Sequence, residues 1–288
     1  RITIFRNGRD LGTFTEIDES RAVSLMTGQT VDAHYPSPLA LRQRRPALEV
    51  RGLTGPGVAD ASLTLHAGEI LGVGGLAGHG HRELFFSLFG ALATTAGEIL
   101  IDGERARIRS PRDAVRLGVA LVPEDRKTEG LLMPMSVGAN LTLAVLPRIS
   151  VMGVMLGGRE RRLAFGAANA LKIKTPDLSN AVGRLSGGNQ QKVLLARWLL
   201  ADSRIVLLYD VTRGVDIATK HEIYELMVRL AGEGRAVLFY SSDAEELAHL
   251  CHRVLVMREG RIAAELEAPG VSAEDIVSAA VRERPVVN

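Results

Sequence analysis

Cysteine is nearly missing: Cys251 stands alone in 288 residues. That excludes an intramolecular disulfide framework and fits a reducing compartment. Aromatic residues make up 4% of the chain, too few for the interleaved base-stacking rings of a single-strand binder. Charge of one sign is lacking as well, with 35 basic against 33 acidic side chains and a net charge of +2. The isoelectric point near 8.9 reflects that small surplus and not a polycation built for nucleic acid. No run reaches 18 uninterrupted apolar residues. The most apolar stretch, 131–147, is broken by Pro134, Ser136, Gly138 and Asn140, so nothing in it spans a membrane. There is no apolar leader, and with Arg1 at its start the chain reads as a piece of a longer one. What is present is ordinary: 46% hydrophobic and 24% charged residues, enough for about two domains or one large domain with an appendage.

An internal repeat sets the organisation. Residues 2–14 read ITIFRNGRDLGTF and residues 254–266 read VLVMREGRIAAEL, so that Arg6, Gly8 and Arg9 match Arg258, Gly260 and Arg261 at a constant offset of 252. Each copy predicts a β-hairpin, two apolar strands about an Asn-Gly or Glu-Gly turn. Residues 1–33 are therefore expected to be the tail of a preceding domain. Residues 34–46, with three prolines and three arginines and no helical period, read as a linker. The competing reading is two unrelated hairpins.

From Ala47 onward strands and helices alternate. Apolar strands are expected at 69–73, 119–122, 205–209 and 236–240, with a helix opening at Ser110-Pro111 and ending at Gly118, and another over 217–231. Alternation of this kind predicts an α/β fold on a largely parallel sheet. An antiparallel β appendage is expected near 47–70. The stretch 131–182 breaks the rhythm and reads as an inserted helical subdomain, set at about 128–190 within a domain of 47–285.

The strand at 69–73 enters Gly74-Gly75-Leu76-Ala77-Gly78-His79-Gly80-His81-Arg82 and then a helical pattern. Strand, glycine loop and helix form the context of a phosphate-binding loop, in which backbone N–H groups close around phosphate at a helix N-terminus. The full pattern is G-x-x-x-x-G-K-[ST]; Gly75 and Gly80 are in place, but His81 stands for Lys and Arg82 for Ser/Thr. Alone, this segment is equally well an ordinary glycine-rich turn. More specific is Leu185-Ser186-Gly187-Gly188-Asn189-Gln190 at a helix start, followed by an apolar strand and Tyr209-Asp210-Val211-Thr212-Arg213-Gly214-Val215-Asp216. A well-capped surface helix would explain the first of these but not the spacing of all three.

Together these segments resemble the nucleotide-binding domains of ABC transporters. The combination of VPEDRK at 122–127, LSGGNQQK at 185–192 and TRGVD at 212–216 is similar to the C-terminal domain of tandem monosaccharide importers of the ribose, xylose and galactose type. The resemblance implies an ABC-type P-loop ATPase core sheet, with ATP and Mg²⁺ as cofactors. It also implies a preceding nucleotide-binding domain in the same polypeptide, transmembrane permease subunits, a periplasmic sugar-binding protein acting indirectly, and a peripheral place on the cytoplasmic face of the inner membrane. It implies that Gly75, Gly78, Gly80, His81 and Arg82 line this domain's own nucleotide pocket. Ser186, Gly187, Gly188 and Gln190 would face a partner's ATP, with Asp216 crossing the interface, while Asp210, Glu124 and Ser242 occupy the catalytic places.

The departures from the family pattern are concentrated in that site. The metal-anchoring carboxylate is Tyr209, whose neutral phenol supplies no anionic ligand, so no metal ligand is assigned. The general base is the shorter Asp210, the switch histidine is Ser242, and Glu124 replaces the usual Gln; no aromatic lies between Pro46 and Leu84 to stack on adenine. The expectation is a domain whose own site is degenerate but whose signature completes its partner's. A non-catalytic regulatory domain and an importer of nucleosides or autoinducers stay open on the same motifs. A DNA-repair ATPase is disfavoured, because about 105 residues separate glycine loop from signature without heptads or zinc-spaced cysteines. His79 and His81 lack partners at ligand spacing, and the Arg159–Arg162 run reads as a solvated helix face.

Overall fold

The computed structural model describes residues 1–6, 8–27, 35–41, 44–267 and 270–281. The chain opens with β1 (Ile2–Arg6), β2 (Arg9–Phe14) and α1 (Glu19–Thr27). There follow β3 (Pro46–Gly55), β4 (Val58–His66), β5 (Ile70–Gly75), α2 (His81–Leu88), β6 (Ala96–Ile101), β7 (Glu104–Ala106), α3 (Pro111–Arg116) and β8 (Val119–Val122). A π-helical turn at Arg126–Gly130 leads to α4 (Val137–Thr142), α5 (Leu146–Ile149), β9 (Ser150–Val151), β10 (Val154–Met155), α6 (Gly157–Ala170) and α7 (Gly187–Leu200). The chain returns through β11 (Ile205–Tyr209), α8 (Ile217–Gly232), β12 (Ala236–Tyr240), α9 (Ala244–Leu250), β13 (Arg253–Arg258), β14 (Arg261–Glu267) and α10 (Ala273–Val281).

The main sheet has six strands in the order β14-β13-β5-β12-β11-β8, parallel except for the antiparallel β13–β14 pair. Its inner strands are buried on both faces, which is why they read as continuous apolar runs. Alternation sorts them: Val206, Leu208, Val237 and Phe239 pack toward α7 and α8, while Leu207, Tyr209, Leu238 and Tyr240 pack toward α2. A four-stranded antiparallel sheet, β4-β3-β6-β7, lies over the α2 side. The expected appendage at 47–70 thus extends to β7, because β6 pairs onto β3 from further along the chain and β7 pairs onto β6. The inserted segment is helical as expected, apart from the two-residue strands β9 and β10. Trp198 of α7 packs against both core clusters and meets Phe89, at the end of α2, edge-on at 5.8 Å.

The two hairpins of the repeat share their register. β1–β2 pairs Thr3 with Thr13 and Phe5 with Asp10; β13–β14 pairs Leu255 with Glu265 and Met257 with Ile262, the same pairs displaced by 252. The bulge falls at the same place in both. Among the described residues β1–β2 pairs with no other strand. The linker reading lies partly outside the described residues; 35–41, 44 and 45 carry no helix or strand.

Candidate functional site

Parallel strands deliver their C-terminal ends to one edge of the sheet, the usual ligand edge of an α/β fold. Tyr209 and Tyr240 are paired across β11 and β12, and Tyr240 stands opposite Val73 of β5. Asp210, Ser241 and the glycine loop therefore emerge side by side. Gly80 precedes α2 with φ 94°, and a Cβ there would lie 2.2 Å from the Gly57 carbonyl oxygen. Only glycine fits. Gly75, at φ 140°, is held as closely by the Met257 carbonyl, whereas a Cβ on Gly78 would meet nothing within 4 Å. The loop backbone has the shape of a phosphate cradle, open at Gly78.

Its side chains are occupied elsewhere. His81 is 2% exposed, with Nε2 3.1 Å from the Gly74 carbonyl oxygen and its ring 4.7 Å from that of Tyr240. Burial holds its pKa below the ordinary imidazole value, so the group in the lysine's place is a neutral donor. Arg82 does not point into the loop: its guanidinium lies 4.0 Å over the Phe86 ring and pairs with Glu129. Tyr209 stacks on Tyr240 at 4.7 Å and 10°, and Phe85 and Phe86 meet it edge-on. Burial, with Tyr240, Glu124 and Asp210 nearby, pushes the Tyr209 phenol up. The donor set does not fit Mg²⁺: a guanidinium and a neutral stacked phenol stand where a hydroxyl and a carboxylate are required. Among the described residues no group of three or more His, Cys, Asp or Glu could hold a metal ion.

The three places expected to be catalytic are linked to one another. Asp210, at φ 50° and 2% exposed, accepts from the Ser242 N–H at 3.0 Å and the Ser242 hydroxyl at 3.1 Å. Burial raises its pKa against the pull of those two hydrogen bonds. Arg213 donates to Glu124 at 2.5 Å and lies 4.0 Å from Asp210. Behind them sits a group the sequence reading missed. Glu246 is fully buried and accepts from Thr212 at 2.6 Å, Ser241 at 2.8 Å, Tyr224 at 2.6 Å and Lys220 at 2.7 Å. Its only sequence signal is an acidic residue on the inward face of α9, three positions after the capping Asp243.

The signature segment is arranged differently. Ser186 is the N-cap of α7 and exposed, accepting from the Asn189 side chain at 2.9 Å. Gly187 opens the helix beneath the Arg126 guanidinium, whose Nη2 would be 2.7 Å from a Cβ there. A Cβ on Gly188 would lie 2.4 Å from the Thr219 hydroxyl, so α7 and α8 touch at this glycine. Two residues depart from expectation. Gln190 is 4% exposed, accepting from Arg126 at 3.2 Å and donating to the Leu185 carbonyl at 3.1 Å; it braces the loop from inside. Asp216 caps α8, accepting from the Thr219 N–H at 3.0 Å and its hydroxyl at 2.9 Å, so its carboxylate is already committed within its own chain. Among the described residues no hydrogen bond or ion pair joins 75–82 directly to 186–190. A cavity of about 740 Å³ opens at the opposite end of the sheet, between Ser37, Pro38, Leu41 and Arg44 on one side and Arg253 on the other, far from these groups.

Comparison with known proteins places this geometry. A family described as "ABC transporter" matches residues 58–213, just over half of the chain. A ribose import ATP-binding protein of Mesorhizobium japonicum is 44% identical over 286 residues, 97% of this chain and 56% of that protein. An arabinose import ATP-binding protein of Burkholderia cenocepacia is 43% identical over 275 residues, 92% of this chain and 52% of its own length. The chain thus spans about half the length of the curated relatives it matches. Among solved structures, a dimeric ATP-binding cassette in a post-hydrolysis state bound to ADP and Pi superimposes with a TM-score of 0.66. It is 19% identical and covers 78% of this chain and all of that one, a likeness of fold.

Proposed function

The chain belongs to the ABC transporter family of ATP-binding proteins, and from that premise we propose that it serves a monosaccharide importer as the cassette that completes its partner's ATP site while its own site stays degenerate. One contrast carries the reading. The side chains of the glycine loop are consumed internally by a buried neutral His81, by Arg82 on Glu129 and by the Tyr209–Tyr240 stack. The signature end of α7, by contrast, has an exposed Ser186 as its N-cap and no side-chain cap hydrogen bond to the N–H groups of its first turn, which no intrahelical carbonyl satisfies. Those N–H groups and the helix's positive end are suited to charge on a phosphoryl group supplied by another cassette.

In this proposal the partner is a preceding cassette of the same polypeptide. The β1–β2 hairpin, which repeats the register of β13–β14 at an offset of 252, is the end of that cassette. Its nucleotide is ATP with Mg²⁺ bound on the partner's side, since this chain's own residues do not fit the metal. The assembly works on the cytoplasmic face of the inner membrane with permease subunits and, through them, a periplasmic sugar-binding protein. Among the described residues no helix is long and apolar enough to cross a membrane. Relatives named for ribose and arabinose import support a pentose-sized cargo.

Titration of the chain with ATP, with and without Mg²⁺, tests the proposal. The expected result is weak binding that is nearly the same in both, and no single-turnover hydrolysis until the first cassette is added. Tight, Mg²⁺-dependent binding by the chain alone would overturn it.

A further inference from the structure

The short ribbon before α6 plays no part in the nucleotide site and carries features its fold does not require. β9 and β10 pair Val151 with Val154 and Ser150 with Met155. The two residues between them, Met152 and Gly153, have φ of 50° and 81°. A two-residue turn with positive φ at both centres favours Asn-Gly, because Asn tolerates the left-handed region and a long side chain does not. Met152 takes the place of that Asn and is 100% exposed, and Val151, Val154 and Met155 beside it are 51%, 66% and 47% exposed. An unfavourable backbone conformation thus presents an apolar side chain to water, and no contact among the described residues rewards either.

The surrounding charge is mainly positive. Residues 146–165 hold four arginines and one glutamate. Glu160 is turned inward, accepting from the Thr142 hydroxyl at 3.4 Å, and Arg148 donates to the Leu200 carbonyl at 2.9 Å. Arg159, Arg161 and Arg162 are exposed on the first two turns of α6. Arg161 shares its field with Asp177 without pairing. Among the described residues no ion pair within 4 Å engages the other two.

We propose that this hairpin tip and the arginine turn behind it form a lipid-surface contact, which seats Met152 and its neighbours at the headgroup level of an anionic bilayer. A convex tip of four side chains is far smaller than the roughly 800 Å² per partner of a standard protein interface, and it asks for no complementary pocket. A lipid boundary supplies none and needs none. Apolar insertion and basic attraction are each weak alone, and stable membrane contact takes the two together. The contact is independent of whether this chain's own ATP site is degenerate.

Cosedimentation with vesicles tests it, using the 288-residue chain without nucleotide. Vesicles of phosphatidylglycerol and phosphatidylcholine should retain the chain at low salt and release it as salt is raised, and pure phosphatidylcholine should bind it at least tenfold more weakly. Met152→Asn supplies the Asn-Gly turn, so its thermal melt should be unchanged or higher while vesicle binding falls on the order of tenfold. Arg159→Gln with Arg162→Gln should cost about fivefold per arginine. No binding to anionic vesicles, equal binding to neutral ones, or equal binding by Met152→Asn would overturn the proposal. So would capture by detergent-solubilised permease subunits in the absence of any vesicle binding, which would make the tip a protein contact.

Discussion

Gly187→Asp separates the two ends of this chain that the proposal assigns to phosphate. The new Cβ would sit 2.7 Å from Arg126 Nη2, the far end of a flexible side chain that can move aside or pair with the carboxylate. Folding should hardly notice. An acidic residue in the first turn of a helix is favoured by about 0.3–1 kcal/mol, and losing a helical glycine adds to that. A stability change of that size keeps the melting temperature within about 2 °C or raises it slightly. Function should fail. A carboxylate about 5 Å from an incoming phosphoryl group at an effective dielectric near 20 repels it by about 3 kcal/mol per unit charge. Pairing with Arg126 offsets part of this, but the added bulk displaces the phosphate as well, leaving a loss on the order of 10²-fold. The assay is phosphate release by the proposed two-cassette protein assembled with its membrane subunits. His81→Ala is the contrast: its ring is neutral and bonded to Gly74, so hydrolysis should stay within about threefold. A mild Gly187→Asp with a crippling His81→Ala would mean that the division of labour is reversed.

Glu246→Ala strands four donors, one of them the Lys220 ammonium. It should cost about 3–5 kcal/mol and lower the melting temperature by about 6–10 °C; a shift under 2 °C would deny the network its structural role. His81 has a folded pKa below its unfolded one, so the unfolded chain takes up the proton first. The stability it contributes is present above the ordinary imidazole pKa near 6.5 and is lost as pH falls, with a slope of at most about 1.4 kcal/mol per pH unit. Melts at pH 7.5 and 5.5 should therefore show a larger drop for the wild type than for His81→Gln, and equal drops would show that the ring accepts a proton while folded. Burial pushes the Cys251 thiol up, so a chromogenic disulfide reagent should leave it untouched in the native chain and titrate one thiol in denaturant; fast native labelling would contradict its burial.

Legibility from sequence followed the range of the interactions. The inner strands could be read because burial on both faces writes a continuous apolar run, and α3 could be read from Ser110, Pro111 and Gly118, all local signals. The glycine loop and signature were legible as backbone shapes that demand glycine at fixed spacing. The fate of the site's side chains was not. Tyr209 could be seen to lack a charge, but its stack on Tyr240 joins residues on different strands and depends on sheet register. Arg82 found Glu129, 47 positions away, and Gln190 turned inward to an arginine 64 positions upstream. The β9–β10 ribbon was hidden because Met and Gly at a two-residue turn carry no hairpin signature.

Trp198 gives the molecule an optical gauge. It is the single tryptophan of the chain, and its T-shaped contact with Phe89 joins the trailing parts of the two helices that open after the glycine loop and at the signature. At 1.5 Å of rise per residue, the indole lies about 16 Å from Gly187, and Phe89 about 12 Å from His81. A tilt of α2 against α7 would shift the Phe89 edge across the indole and change the packing around it. The indole Nε1 is buried without a hydrogen-bond partner, so its emission should be blue-shifted and should redden if water reaches it. Unlabelled protein can thus signal, by its own fluorescence, whether an event at one helix start is felt at the other.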